Sequence, residues 1–103
     1  MSRVILDPKH VSEVRNYTFD FTSKLAVLET ISTQIVAVSV YSGTDATPST
    51  IINGPATASG NIVTQSFKAG VIGPVYEAFC TITTSLGQTL TLSAFFVVIP
   101  DLT

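Results

Sequence analysis

The stretch VYEAFCTITTSLGQTLTLSAFFVVIP, residues 75–100, reads as two apolar strands joined by a short loop. Gly87 suits a three-residue hairpin loop, Ser85 to Gly87, because one position of such a loop needs a positive φ. Thr84 then pairs with Gln88, and the side chains of both strands alternate between two faces. The even face is apolar and is the predicted core: Tyr76, Ala78, Cys80, Ile82, Leu90, Leu92, Ala94, Phe96 and Val98.

The odd face of this hairpin changes character along its length. Near the loop it carries only Thr and Ser, which is usual for a solvated face. Away from the loop it becomes apolar, and contiguous apolar patches on a monomer commonly mark interaction sites. Two interpretations stay open: the chain's own N-terminal arm or a strand crossover covers the patch, or another subunit binds there. The patch consists of Val75, Phe79, Phe95, Val97 and Ile99.

A period of two residues, typical of strands, continues outward from the hairpin. The segments RNYTFDF, IVAVSVY, TII and NIVTQSF are candidate strands, and Gly-, Pro- and Ser-rich loops separate them, with no convincing helix between. Apolar residues change parity between Ile35 and Val36, which predicts either a bulge near Gln34 or a strand covered on both faces. Short strands at even spacing predict an all-β sandwich of about seven antiparallel strands.

The length of the chain and its first residues predict one domain with an extended N-terminal arm. A chain of 103 residues can form a single hydrophobic core. The opening MSRVILDPKH holds an apolar triplet followed by Asp7 and Pro8, so we assign residues 1–12 to the arm and residues 13–103 to the domain. The triplet is expected to dock on a neighbouring subunit or to add as an edge strand. It consists of Val4, Ile5 and Leu6.

Charge and hydropathy exclude two classes of partner. The net charge is −2 and the five basic residues are scattered, so the chain lacks the basic patch that nucleic-acid binding requires. No apolar run approaches the ~18 residues of a membrane-spanning helix, so the sequence predicts no contact with a membrane.

Few residues could carry chemistry. His10 is the only histidine and lies in the arm, while Cys80 has the parity of a core residue. The acidic residues are dispersed, with neither the clustered carboxylates of a calcium site nor the paired histidines of a zinc site. No phosphate-binding loop and no nucleophile elbow are present. The sequence therefore predicts no enzyme, no metal and no cofactor.

The segment GPVYEAFCTITTSLGQTLTLSAFFVVIP resembles the end of an immunoglobulin-like domain. Tyr76, just after Gly73 and Pro74, is similar to a tyrosine corner, whose hydroxyl bonds to backbone a few residues upstream. The resemblance implies an immunoglobulin-like sandwich with this hydroxyl bonded between Lys68 and Gly73. The chain departs from antibody domains, because it has a single cysteine and no tryptophan.

The wider pattern, from LDPKHVSEVRNYTFDFTSKL to NIVTQSFKAGVIGPVYEAFCTITTSLGQTL, resembles bacteriophage proteins of similar length that are described as fiber-tail adaptors or other small immunoglobulin-like virion proteins. This resemblance implies a structural protein of the virion that connects the tail to fibers, with other virion proteins and copies of itself as partners. Two alternatives remain, a capsid decoration protein and a bacterial adhesion or carbohydrate-binding module. The absence of Trp disfavours the sugar-binding alternative.

Overall fold

A computed structural model describes residues 4–101, which form two sheets packed face to face. One short 3₁₀ turn, Pro48–Ile51, lies between strands, and among the described residues no helix is long and apolar enough to cross a membrane. The strands are β1 (Val4–Ile5), β2 (Lys9–His10), β3 (Arg15–Asp20), β4 (Ile31–Ser42), β5 (Thr57–Ser59), β6 (Ile62–Phe67), β7 (Val75–Thr84) and β8 (Thr89–Ile99).

The order of the strands is that of an immunoglobulin-like sandwich. The first sheet has the order β1-β8-β7-β4, and β2 also pairs with β8, so β1 and β2 share one edge position. The second sheet has the order β3-β6-β5. A constant-type immunoglobulin domain divides its strands in the same way, except that its first strand lies in the other sheet. The predicted sandwich of seven strand positions is confirmed, and the pairing is antiparallel except at the arm, where β1 and β2 run parallel to β8.

The hairpin of β7 and β8 forms as its sequence predicts. Thr83 pairs with Thr89, the Thr84 N–H donates to the Gln88 carbonyl over 2.9 Å, and Gly87 has a φ of 81°. The even face of both strands is buried from Tyr76 to Ile82 and from Ala94 to Val98. Alternation therefore identified the core correctly.

Four aromatic rings join the two sheets in the centre of the core. Tyr17 and Phe67 come from the second sheet, with ring centroids 5.1 Å apart. Phe96 of the first sheet lies 5.0 Å from Phe67 and stacks on Tyr76 at 5.2 Å. Burial of such rings is the largest contribution that single residues make to the hydrophobic stabilisation of a small domain.

Strand β4 contains two irregularities, and the first lies close to the bulge that the sequence predicted near Gln34. Gln34 itself pairs regularly with Ile82, and Ile35 is 65% exposed, so the strand is not covered on both faces there. The register shifts instead between Ile31 and Thr33, and again between Val40 and Ser42. An extra residue re-aims the side chains beside it. Parity reveals that a shift exists but not at which residue the strand absorbs it.

The arm is bonded to both sheets. The Leu6 N–H donates to the Phe95 carbonyl over 2.8 Å, and the Val11 N–H donates to the Ile99 carbonyl over 2.9 Å. From the second sheet, the Tyr17 hydroxyl donates to the Asp7 carbonyl over 2.8 Å. The arm thus adds as an edge strand to the chain's own β8. Residues 1–3 lie outside the described residues, and the division at residue 12 stays a prediction.

Candidate interaction surface

An apolar groove of about 580 Å³ lies between the arm, β8 and the adjoining ends of β4 and β7. We call it the arm groove. It brings together residues that are far apart in the sequence, because the parallel edge strand places the arm beside β8 while β7 and β4 follow on the other side. The residues that line it are Ile5, Leu6, Pro8, Tyr41, Ser42, Val75, Phe95, Phe96 and Val97.

Five of the eight interface residues expected from the sequence line this groove, namely Ile5, Leu6, Val75, Phe95 and Val97. The arm forms one side of the groove and covers this face only in part, since Ile5 is 79% exposed while Val75, Phe95 and Val97 are half-buried. These five residues come from the apolar triplet of the arm and from the outer face of the hairpin, and their role as an interface stays a prediction.

The remaining three expected residues lie elsewhere. Phe79 pairs with the small residues Ala37 and Ser93, and Ile99 pairs with His10, so both are half-buried outside the groove. Val4 pairs with Ala94 through its backbone, and its side chain lies outside the description.

Cross-strand pairing sets the floor of the arm groove. Phe95 lies opposite Ile5 on one side and the buried Glu77 on the other, while Val75 lies opposite Val97. Directly paired residues project to the same face of a sheet. The aromatic ring of Phe95 is therefore held in the middle of the outer face by neighbours on both sides.

Tyr41 completes the groove, and sequence reasoning missed it. It is the extra residue of the second irregularity in β4, between Val40 and Ser42. Its ring meets that of Phe95 edge-on, with centroids 4.6 Å apart. An exposed aromatic at the end of a strand, just before the loop SGTDATPST, was the available signal. Alternation gives Tyr41 the outward parity of Ala37 and Ser39, which pair with Phe79 and Glu77, and the bulge sets it between the pairs Val40–Tyr76 and Ser42–Val75.

One ion pair lies beside the groove, at the bend of the arm. Asp7 stands between Leu6 and Pro8, and its carboxylate lies 3.6 Å from the Arg15 guanidinium. The Asp7 side chain is 82% exposed, so its negative charge remains available to a partner. Arg15 also donates to the Pro8 carbonyl over 3.1 Å, which fixes the bend.

A tyrosine corner holds the end of β7 that enters the groove. The Tyr76 hydroxyl accepts from the Val71 N–H over 3.1 Å, within the predicted segment, and donates to the Asp45 carboxylate over 2.7 Å. Burial and the Asp45 carboxylate raise the pKa of Tyr76 to about 12. The Tyr76 hydroxyl and the Thr47 N–H lower the pKa of Asp45, because both donate to its ionised form. The predicted corner is present, and Asp45 is an unforeseen partner.

The residues that could have carried chemistry lie apart. Cys80 is buried, and burial raises the pKa of its thiol to about 12, so it is a core residue as predicted. It pairs with Leu92 of β8, whereas His10 pairs with Ile99, seven residues further along that strand and roughly 23 Å away. Within residues 4–101, no three His, Cys, Asp or Glu side chains are grouped as metal ligands.

Comparison with known families decides what this sandwich is. Residues 9–97 match the model of the family described as Podophage GP4 fiber-tail adaptor protein gp77. The chain belongs to this family. The adaptor is accordingly a structural protein of the phage tail and a component of the virion. No curated protein matches the chain.

The family match favours one of the functions left open by the sequence. A fiber-tail adaptor binds tail or fiber proteins, and nothing supports capsid decoration or a bacterial adhesion module better. The matched region of the adaptor begins at β2, so β1 and the side of the groove formed by Ile5, Leu6 and Pro8 precede it.

Proposed function

We propose that the adaptor uses the arm groove to bind another protein of the virion, and that its role involves no catalysis. The observation that carries this proposal is the grouping of Ile5, Tyr41 and Phe95 in one open apolar groove. Aromatic and aliphatic residues in a concave site are the usual anchors of a protein interface. We further propose that the partners of the adaptor are tail or fiber proteins and other copies of the adaptor. It is proposed to bind neither nucleic acid nor a membrane.

The composition of the groove supports binding rather than chemistry. Its side chains are almost all apolar, and the ion pair between the exposed Asp7 of the arm and the half-buried Arg15 of β3 lies beside it. Burying two aromatic rings and several aliphatic side chains, at roughly 1.5–3 kcal/mol for each fully buried residue, is enough to drive association. The net charge of −2 gives no attraction to a phosphate backbone or to an anionic membrane surface.

Substitution at the rim of the groove tests this proposal without disturbing the core. Tyr41→Asp places a charge on the exposed ring position, and Ile72→Asp is a matched control, since Ile72 is an exposed apolar residue outside the groove. Particles are assembled with each variant and the adaptor copies per particle are counted by quantitative mass spectrometry. We expect Tyr41→Asp to lower incorporation at least tenfold and Ile72→Asp to leave it unchanged. Normal incorporation of Tyr41→Asp would refute the groove as an interface.

A further inference from the structure

The most exposed large apolar side chains of the described chain belong to one tight turn. Val27 and Leu28 are 90% and 92% exposed, and they sit at the outer end of the loop that connects β3 to β4. The turn is closed by the Glu29 N–H, which donates to the Ala26 carbonyl over 3.0 Å. We call residues 26–29 the apolar turn. Two neighbouring apolar side chains that point into solvent contribute nothing to the chain's own core.

The apolar turn is rigidly held in spite of its exposure. Glu29 is buried beneath it, and its carboxylate accepts from the Ala26 N–H at 2.9 Å and from the Thr84 hydroxyl. Thr30 donates to the Ser85 hydroxyl over 3.0 Å and accepts from the Ser85 N–H over 2.9 Å. These bonds join the turn to the β7–β8 hairpin. A surface held in one conformation loses little conformational entropy when it binds.

Leu28 also carries backbone strain. Its φ is 71°, in the left-handed region that Leu rarely occupies. Non-glycine residues in this region persist where the surrounding structure fixes them, and they cluster at binding sites. Asn or Gly would fit this position without the strain, so a leucine here lowers the stability of the fold.

The apolar turn and the arm groove lie at opposite ends of the domain. Strand β7 begins at Val75 in the groove and ends at Thr84 beneath the turn, a distance of roughly 30 Å for ten extended residues. The described chain is elongated, with a longest dimension of 45 Å. One copy therefore cannot fill its own groove with its own turn.

We propose that the apolar turn of one copy inserts into the arm groove of a second copy. Val27 and Leu28 would contact Tyr41 and Phe95 there. Lys24 is exposed in the loop of the turn, while the Asp7 carboxylate beside the groove is 82% exposed and can accept a second cation in addition to Arg15. Opposite charges at the edge of an apolar contact fix its orientation and suppress other partners.

The symmetry of this contact follows from its two different surfaces. A turn-to-groove contact is heterologous, so each copy has one free turn and one free groove after pairing, and successive copies build a ring or a filament. The inference rests on the proposed function, because it names the occupant of the same groove.

Mixing two complementary variants tests the contact. Leu28→Asn removes the apolar side chain and suits a left-handed backbone, while Tyr41→Asp closes the groove to an apolar group. Sedimentation velocity over a concentration series should find oligomers for the unaltered chain and monomers for each variant alone. An equimolar mixture should form dimers and stop there, since only one intact turn and one intact groove are available. Thermal melting checks that both variants are folded.

Three outcomes would overturn the turn-to-groove contact. These are an unaltered chain that stays monomeric at the highest soluble concentration, a Leu28→Asn chain that still forms oligomers, and an equimolar mixture that stays monomeric. Incorporation into particles separates this inference from the proposed function. If Tyr41→Asp fails to incorporate while Leu28→Asn incorporates normally, the groove binds a different virion protein and self-docking is wrong. Normal incorporation of both variants would refute both proposals.

Discussion

The Tyr76 hydroxyl donates to the Asp45 carboxylate over 2.7 Å, and this bond fastens the start of β7 to the loop that follows β4. The two residues are 31 positions apart. Val75 precedes Tyr76, and Ser42 precedes Asp45 by three residues, so the bond ties together two sides of the arm groove. A tyrosine corner, usually a device for folding, here also positions the candidate interface.

Removing the Tyr76 hydroxyl should destabilise the fold. Tyr76→Phe leaves the ring in the core but removes the donor to Asp45 and the acceptor for the Val71 N–H. Because one of these bonds is made to a carboxylate, we expect the free energy of unfolding to fall by about 1–3 kcal/mol. Urea denaturation measures the loss, with Tyr41→Phe as a control on an exposed ring. Equal midpoints for Tyr76→Phe and the unaltered chain would contradict the corner.

The same hydroxyl predicts how stability responds to alkaline pH. The pKa of Tyr76 is raised to about 12 in the folded state, against about 10 in an unfolded chain. The folded state therefore holds this proton more tightly. The contribution of the Tyr76 hydroxyl to the free energy of unfolding is complete below about pH 10 and is lost as pH rises towards 12. Tyr76→Phe should lose less stability than the unaltered chain between pH 10 and 12. Parallel urea midpoints for the two chains over this range would be evidence against the raised pKa.

The core could be predicted from the sequence because alternation is a local property of a strand. Tyr76, Cys80 and Phe96 were assigned to the core from parity alone, and all three are buried. The Asp45 partner of Tyr76 could not be found in this way. It lies in an irregular loop, whose path depends on packing between distant segments rather than on a repeating pattern.

The candidate site was predictable to a smaller extent. Parity placed Val75, Phe95 and Val97 on one outer face, and the apolar triplet marked the arm. The register of the arm on β8 was not accessible, because a parallel edge strand has no connecting turn to set it. Tyr41 has the outward parity of Ser39, but its place beside Phe95 depends also on a bulge at the end of β4 that no pattern in the sequence marks.

A glycine that packs against the core should tolerate substitution less well than one that does not. Gly70 has a φ of 90°, and a Cβ there would lie 2.7 Å from a Val98 methyl group. Gly54 has a φ of 80° with no atom within 4 Å of its Cβ position. Substitution of Gly54 therefore measures the cost of the positive φ without any steric contact. We expect Gly54→Ala to cost about 1–2 kcal/mol from left-handed strain. Gly70→Ala should cost about 1–3 kcal/mol more through overpacking. Similar unfolding midpoints for the two variants would mean that the core yields at Val98.

The buried Lys9 predicts the opposite effect of alkaline pH, namely stability that rises with pH. Its ammonium group donates to the His10 carbonyl over 2.7 Å and to the Val11 carbonyl over 3.2 Å, and the residue is fully buried in the arm. Burial lowers the pKa of Lys9, and this effect outweighs the attraction of the Glu13 and Asp101 carboxylates. The unfolded chain, with a lysine pKa near 10.4, therefore binds this proton more tightly than the folded chain does.

Stability from Lys9 should accordingly rise with pH. Burying the charged ammonium of Lys9 costs free energy. This cost disappears as pH rises from the lowered pKa of the folded state towards the unfolded pKa of about 10.4. Lys9→Met keeps an unbranched apolar stem and has no charge to lose, so its stability should rise less as pH approaches about 10.4. Lys24→Met is the matched control, since Lys24 is exposed and its removal should leave the pH dependence of the unaltered chain in place. Urea midpoints across this range decide the matter: if Lys9→Met and the unaltered chain gain stability equally, the Lys9 ammonium is solvated and the arm does not bury it.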